Sequence, residues 1–191
     1  NFTYENLFYI NINYSLKSKK NMSILKVTKL GHPILRRTAK CVAIEEIPLP
    51  ETQQFVDNMI ETMNDYNGIG LAAPQVYDIR KIIVVGINPF HIDEYASTII
   101  FNPKLTYMSE DRLDDWEGCL SIPDMRGIVS RSKEIHVSGY DREGNPLAFE
   151  AHDYFARVLQ HEIDHFNGLL FVDKVSDKEL LAKQLKENGF S

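Results

Sequence analysis

Three segments of the chain carry apolar residues at helical spacing. In residues 51–66 an apolar residue recurs every four positions, and Gly68 follows as a stop. A second segment starts near Asp153, a fair N-cap, and Gly168 should end it. The last segment, residues 176–188, starts with a serine that can cap it and has a leucine-rich face. The sequence therefore predicts an amino-terminal helix, a central helix and a carboxy-terminal helix.

Shorter apolar or alternating stretches predict the strands. Residues 82–87 form a continuous apolar run, which is typical of a buried strand, whereas residues 134–140 alternate between apolar and polar positions. The predicted strands are residues 82–87, 98–101, 104–108, 134–140, 146–151 and 169–172. Residues 88–97 are interpreted as a loop. An acidic patch is interpreted as a second, solvated loop: Glu110, Asp111, Asp114, Asp115 and Glu117.

The order of these elements is not the strand–helix alternation of a parallel sheet. It predicts an α+β fold in which antiparallel sheets surround the central helix. No internal repeat is present, and a chain of 191 residues is long enough to form one domain with a substantial core.

The central helix carries an H-E-x-x-H motif, His161 to His165. On a helix these histidines lie one turn apart on one face, so both imidazoles can reach one metal ion. They continue an apolar stripe formed by Tyr154 and Val158, so the face should point inward. Glu162 lies about 100° round the helix, within reach of the water that such a metal activates. The other histidines have no partners at metal-ligand spacing and are interpreted as surface or structural residues: His91, His136 and His152.

A hydrolytic metal site uses three protein ligands and an open fourth position. One zinc-protease pattern would place a third histidine at position 171, which is Phe171 here. Glu179 and Glu187, on the last predicted helix, remain possible ligands. Cys119, between a glycine and Leu-Ser-Ile-Pro, should lie at a strand end or turn, and a thiolate with two imidazoles suits Zn²⁺ or Fe²⁺. The alternative for Cys119 is a small buried apolar residue.

Three motifs together resemble one family, the peptide deformylases, from about residue 23 to the last helix. They are Gly68-Ile69-Gly70-Leu71-Ala72-Ala73-Pro74-Gln75, Glu117-Gly118-Cys119-Leu120-Ser121, and Gln160-His161-Glu162-Ile163-Asp164-His165. The second motif is similar to the bacterial and organellar type. The resemblance implies removal of the formyl group from the N-terminal formylmethionine of new polypeptides, releasing formate. It implies one divalent ion, Fe²⁺ with Zn²⁺, Ni²⁺ or Co²⁺ as substitutes.

The resemblance also implies the roles of site residues. Cys119, His161 and His165 would be the metal ligands and Glu162 the catalytic carboxylate. The oxyanion would be held by the side-chain amide of Gln75 and the main-chain N–H of Leu120.

A further group would bind the substrate. Ile69 and Gly70 would pair with the peptide in a strand-like way, with Gly118 opposite. Ile69, Tyr154 and Val158 are candidates for a methionine pocket, although core packing would explain them as well. Arg126 matches an arginine near the substrate, and Glu117 could pair with Arg126 or brace the site. Arg157 replaces what is often an apolar residue in the family and could reach the pocket rim.

Two other functions remain open from the residues. A zinc endopeptidase would use a downstream glutamate as its third ligand. A non-catalytic, metal-binding module that docks nascent chains would need neither Glu162 nor Gln75.

Charge and composition limit the classes of binding partner that the chain can have. The net charge of −6 argues against a nucleic-acid-binding face, and no apolar run is long enough for a membrane-spanning helix. The expected partners are therefore formylmethionyl nascent chains near the ribosome, with the oligomeric state open. The two cysteines are too few for a disulfide framework, so a reducing compartment is expected. Cys41 is interpreted as a packing residue.

The first 22 residues differ from the rest. Residues 1–29 contain five lysines and one glutamate, a net charge of +4, which leaves −10 for residues 30–191. Basic, acid-poor amino termini are typical of organelle transit segments. Together with the absence of an initial methionine, this favours a leader remnant at residues 1–22 before a catalytic domain at residues 23–191. The expected location is therefore a plastid or mitochondrion, with bacterial-type cytoplasm as the alternative.

Overall fold

The structure is a computed structural model that describes residues 22–87 and 97–189. The predicted leader at 1–22 and the predicted loop at 88–97, with His91, lie almost wholly outside these residues. The helices are α1 (Pro50–Asp65), α2 (Asp153–Asp164), α3 (Phe171–Lys174) and α4 (Lys178–Glu187). Short 3₁₀ turns accompany them at Pro33–Arg36, Ile44–Glu46 and Ala73–Val76.

Within residues 22–87 and 97–189, seven strands form two antiparallel sheets. The strands are β1 (Gly70–Ala72), β2 (Ile82–Val85), β3 (Thr98–Met108), β4 (Arg112–Cys119), β5 (Ile122–Ser132), β6 (Glu134–Tyr140) and β7 (Pro146–His152). Five of them pair in the order β1-β2-β3-β6-β7, and β4 pairs with β5 as a separate hairpin. Every pairing between these strands is antiparallel, which confirms the predicted α+β fold.

The five-stranded sheet lies between helices α1 and α2, and the packing of strand β2 shows this arrangement. Ile83 and Val85 pack in the cluster that contains α2, whereas Ile82 and Val84 pack in the cluster that contains α1. Both faces of the strand are therefore buried, which explains its unbroken apolar run. A third cluster joins the β4–β5 hairpin to α3 and α4. Helix α2 is buried from Phe155 to Ile163, so the motif-bearing helix is central, as predicted.

The ends of α2 differ from the prediction. Asp153 is not the cap: it is the first helical residue, with φ at +49°, and His152 precedes the helix without a capping side chain. The main-chain N–H of Asp153 donates to Lys133 at 2.7 Å, so the chain must turn sharply as it leaves β7. The helix ends at Asp164, before Gly168, which occupies the following turn with φ at +67°.

The segment after α2 was predicted as a strand at 169–172 and is instead the start of helix α3. Four apolar residues cannot distinguish a buried strand from one buried helical turn. Here the Asp173 carboxylate accepts the main-chain N–H of Leu170 at 2.8 Å and fixes the turn. Helix α4 is capped by Asp177, which accepts from the N–H of Leu180, and not by Ser176.

Other differences concern the strands and Cys41. Only part of the acidic patch is a loop: Glu110 and Asp111 lie between β3 and β4, whereas Asp114, Asp115 and Glu117 belong to strand β4, where Glu117 is buried. Two predicted strands are one, β3, whose register shifts between Phe101 and Lys104. Asn102 causes this bulge with φ at +50°, and its side-chain amide bonds both main-chain groups of Val42 at 2.8 Å. Cys41 is exposed, so its interpretation as a packing residue was wrong.

None of the helices in the described residues is both long and apolar enough to cross a lipid bilayer.

Replacing Gly168 with alanine should destabilise the fold strongly. A Cβ there would lie 2.6 Å from the main-chain oxygen of Arg36, at a φ of +67°. Gly31 is the matched control, because its φ is +94° and a Cβ would meet nothing within 4 Å. We expect G31A to lower the free energy of unfolding by about 1 kcal/mol and G168A by about 3 kcal/mol. Urea unfolding measures both, and equal losses would contradict the close approach of Arg36.

Candidate metal centre

Helix α2 presents two buried imidazoles side by side. His161 and His165 are four residues apart, and their ring centroids lie 5.2 Å from each other at an interplanar angle of 76°. Both side chains are almost inaccessible to solvent, at 8% and 1% exposure. The predicted apolar stripe thus carries both histidines into the interior.

Cys119 completes a three-atom cluster with these histidines. It is the last residue of β4 and pairs with Ile122 across a two-residue turn, which confirms its predicted position at a strand end. Its Sγ lies 3.6 Å from Nε2 of His165. The ligand atoms of Cys119, His161 and His165 all lie within 4.8 Å of one another.

This cluster fits a metal ion. A tetrahedral ion with sulfur at about 2.3 Å and nitrogen at about 2.0 Å would hold those two atoms roughly 3.5 Å apart. One thiolate and two imidazoles are donors that suit Zn²⁺ or Fe²⁺. The glutamates of α4 do not join the cluster: Glu179 is exposed, and Glu187 lies on an exposed face 3.9 Å from Lys183.

Glu162 lies beside the cluster and is shielded from solvent. Its side chain is buried, and its Oε2 contacts no hydrogen-bond donor in the described part of the chain. Burial raises the pKa of Glu162 to about 7. Strand β1 makes room for this carboxylate, since a Cβ on Gly70 would lie 2.4 Å from its Oε1. A carboxyl group with a near-neutral pKa can both take up and release a proton near pH 7.

Burial also acts on the two imidazoles, with opposite outcomes. It lowers the pKa of His165 well below its usual value, and the neighbouring His161 adds to this effect. For His161 the same burial is outweighed by hydrogen bonds with Cys119 and Glu117, and its pKa rises well above the usual value. Without a metal His165 is therefore neutral, whereas His161 must release its proton when an ion binds.

The Gln75 amide is fixed against the same centre. Its Oε1 accepts the main-chain N–H of Ala72 at 2.8 Å. Its Nε2 points at Sγ of Cys119, 3.3 Å away, and at Oγ of Ser121, 3.2 Å away. The buried side chain thus aims an N–H at the cluster. Leu120 lies in the turn directly after Cys119, and its carbonyl accepts from Nζ of Lys29 at 3.1 Å.

Glu117 forms the hub of a buried ionic network. Its carboxylate accepts two hydrogen bonds from Arg131, at 2.8 and 2.9 Å, and one from Arg157 at 2.8 Å. Its Oε2 also lies 2.9 Å from Nδ1 of His161. Burial alone would raise the pKa of Glu117, but the hydrogen bonds from Arg131 and His161 outweigh it and lower the pKa to about 2. The carboxylate is therefore ionised and orients His161.

The expectations for Arg126 and Arg157 have different outcomes. Glu117 does not pair with Arg126. Arg126 is exposed and lies beside Gly118, on the opposite face of the β4–β5 hairpin from Glu117. Arg157 does line the pocket that contains Cys119 and Glu162, but it is 2% exposed, and its guanidinium group bonds Glu117 and the carbonyl of Val129. Arg131 was missed. Arg131 lies two residues after Val129 and four residues after Gly127, and both of these are buried. Side chains alternate between the faces of a strand, so this spacing was the signal that Arg131 also points inward.

One cleft brings together almost all the predicted site residues. It is lined by Ile69, Gly70, Gln75, Glu117, Gly118, Cys119, Leu120, Arg126, Tyr154, Val158, His161 and Glu162. His165 does not line the cleft and is 1% exposed. Val158 is buried, whereas Ile69 and Tyr154 expose 43% and 51% of their surface. Trp116 also lines the cleft at 50% exposure and was not predicted.

The chain matches known proteins over most of its length. The model of the polypeptide deformylase family matches residues 24–180. A peptide deformylase of Thermodesulfovibrio yellowstonii is 41% identical over 167 residues, which cover 86% of this chain and 98% of that protein. The actinonin complex of a Synechococcus elongatus peptide deformylase superposes with a TM-score of 0.80 at 38% identity, covering 87% of this chain and 89% of that one.

A second solved structure is the Met-Ala-Ser-bound class I type b peptide deformylase of Acinetobacter baumannii. It superposes with a TM-score of 0.75 at 35% identity, covering 81% of this chain and 99% of that one. The family model and the relatives thus agree with the three motifs that meet in the cleft, and the chain belongs to the polypeptide deformylase family.

Proposed function

We propose that the protein is a metal-dependent hydrolase that removes the N-formyl group from the N-terminal methionine of new polypeptides and releases formate. The observation that carries the proposal is the Cys119, His161 and His165 cluster with the buried Glu162 beside it, in a member of the deformylase family. The Acinetobacter relative is bound to a tripeptide that begins with methionine. A peptide of that kind is what deformylation leaves behind.

Each group of residues in the cleft has a separate role in the proposed reaction. Cys119, His161 and His165 would hold a divalent ion, which lowers the pKa of water and polarises a carbonyl group. Glu162 takes a proton from the attacking water and passes it to the leaving amine. The Gln75 amide and the Leu120 N–H donate to the oxyanion as charge develops on the formyl oxygen. The products are formate and a free amino terminus.

The peptide lies along strand β1 in this proposal. Strand β1 stands at one end of the sheet order, so one of its edges faces the cleft and not another strand of that sheet. The main chain of Ile69 and Gly70 pairs with the peptide, and Gly118 contacts it from the other side. Ile69, Tyr154 and Val158 receive the methionine side chain, and Arg126 lies at the exposed end.

The native metal is proposed to be Fe²⁺, with Zn²⁺, Ni²⁺ or Co²⁺ able to replace it. One thiolate and two imidazoles bind all four ions, and availability selects among them. The proposed compartment is a plastid or mitochondrion, where the substrates are nascent chains near the ribosome. The basic, acid-poor character of residues 1–29 and the similarity to a Synechococcus enzyme support it.

Replacing Glu162 with glutamine should strongly slow formate release and leave metal binding intact. Glutamine keeps the size of the side chain but cannot accept the proton, so we expect a loss of about 10²-fold or more. The assay is formate release from formyl-Met-Ala-Ser by protein purified without oxygen and loaded with Fe²⁺. E179Q is the control, because it removes an exposed carboxylate from α4. A folded, metal-loaded wild type that releases no formate would overturn the proposed function.

The third ligand is tested by comparing the two cysteines. C119A should retain much less than one ion per chain after dialysis, because a site held by two histidines alone has lost its thiolate. C41A should retain the full content, since Cys41 is exposed and outside the cluster. E187A should also retain it. Metal loss in E187A with retention in C119A would instead support a zinc endopeptidase.

Glu117 should tune the metal site without touching the ion. E117Q removes the charge that orients His161, so we expect metal affinity to fall about 10- to 100-fold. D114N is the matched control, because it removes an exposed carboxylate from the same strand. Competition with a chelator measures both affinities. Equal affinities in the two variants would contradict a role for Glu117 in holding His161.

A further inference from the structure

A second cluster of metal-ligand side chains lies on the β6–β7 hairpin, outside the catalytic cleft. The two strands carry the same short pattern: Glu134-Ile135-His136 on β6 and Glu150-Ala151-His152 on β7. The register pairs Glu134 with His152 and His136 with Glu150. Because the strands are antiparallel, each histidine faces the glutamate of the other pattern. The sequence spacing alone did not reveal this, and both histidines had been interpreted as unpartnered.

The four side chains share one face of the sheet. The residues between them, Ile135 and Ala151, are buried in the core beneath. Side chains alternate between faces along a strand, so the Glu and His residues point to the opposite, solvent-facing side. Their side-chain exposures range from 38% for Glu134 to 64% for Glu150. An ion in solution can therefore reach them directly.

Their polar atoms form a connected row. Nε2 of His136 lies 3.3 Å from Oε1 of Glu134 and 3.8 Å from Oε1 of Glu150. Nδ1 of His152 lies 3.8 Å from Oε2 of Glu134. Ligands bound at about 2.0 Å to a tetrahedral ion lie roughly 3.3 Å apart, so each of these spacings is close to that of a shared ion.

The row is open, whereas the cluster at Cys119 is a closed triangle. To close it, the exposed Glu150 and His152 side chains would have to rotate, because among the described residues only Cys119, His161 and His165 have three ligand atoms within 4.8 Å of one another. The His136 ring is already oriented by Tyr107, whose ring centroid lies 4.6 Å away. One ligand is thus positioned by packing, and the Glu134 carboxylate lies between both imidazoles.

The charges and ligand types select a class of ion. Two carboxylates balance the charge of a divalent cation, so the occupied cluster is neutral. Two imidazole nitrogens and two carboxylate oxygens suit Zn²⁺ and similar transition ions, whereas Mg²⁺ and Ca²⁺ prefer oxygen ligands alone.

We infer that Glu134, His136, Glu150 and His152 form a second binding site for a Zn²⁺-type divalent cation, which clamps the β6–β7 hairpin. His152 directly precedes Asp153, the first residue of α2, so the ion also ties the hairpin to the start of the helix that carries His161. The competing interpretation is a set of exposed ion pairs, which typically stabilise a protein little. The two interpretations differ in whether a second ion binds.

The experiment counts ions on the intact protein. Its catalytic centre is first filled with Ni²⁺, the protein is dialysed against buffered free Zn²⁺, and nickel and zinc are counted per chain by mass spectrometry. We expect two ions in total for the wild type and one for the H136Q/H152Q variant. E134Q should also weaken the second site, since Glu134 contacts both imidazoles. Counting both metals keeps the result valid if zinc exchanges into the catalytic centre.

Three controls separate this site from other causes. H32Q removes a histidine outside the hairpin and should still hold two ions. Formate release should be the same in the wild type and H136Q/H152Q, because neither histidine lines the catalytic cleft. Nitrogen chemical shifts of His136 and His152 should move when zinc is added. A total of one ion in the wild type, or of two in H136Q/H152Q, would overturn the inference, whatever the formate assay gives.

Discussion

The ionised carboxylate of Glu117 connects the two parts of the molecule that must meet to form the metal centre. It lies on strand β4, two residues before Cys119, and it holds Nδ1 of His161 on α2 at 2.9 Å. Two arginines keep it charged in a buried setting, Arg131 from β5 and Arg157 from α2. The thiolate and the imidazoles are thus brought together by a contact that involves neither a metal nor a substrate.

A buried ionic network of this kind is better explained by geometry than by stability. Removing charges from water costs several kcal/mol per ion, and apolar residues of similar volume often stabilise a fold as well or better. An apolar core offers no hydrogen-bond acceptor for Nδ1 of His161, so it cannot set which ring nitrogen faces the metal. Arg131 extends the network to Asp164, the residue just before His165. Both histidines of α2 are therefore linked, directly or through a neighbour, to the β4–β5 hairpin.

The sequence predicted those parts of the site that follow from local spacing. The H-E-x-x-H motif and its apolar stripe give the position and burial of His161, Glu162 and His165. Cys119 and Gln75 were identified by resemblance to a family, since each is only one among several candidates when taken alone. The competing glutamates of α4 could be set aside only when the structure placed both of them at exposed positions of that helix.

The errors have a common physical origin: they depend on which residues lie opposite each other. Arg126 and Arg131 are both near Glu117 in sequence, but the β4–β5 register pairs Glu117 with Gly127 and puts Arg131 on its face. Residues 169–172 are apolar enough for a strand. The main-chain N–H of Leu170 instead donates to the Asp173 carboxylate, which stabilises a helical turn. The signal for His136 and His152 was likewise hidden, because a Glu-x-His pattern becomes a cluster only in one register.

The two clusters of metal-ligand residues show how burial changes what a site can do. At the catalytic centre, the ligands come from a buried helix and a strand end, and the Glu117 network fixes one of them before any ion arrives. Such a site can leave one coordination position for substrate, because the protein alone defines the other three. On the β6–β7 hairpin the side chains are exposed and must rotate to meet. All four side chains would then coordinate the ion. Such a site can hold the strands together, but it leaves no coordination position for a substrate.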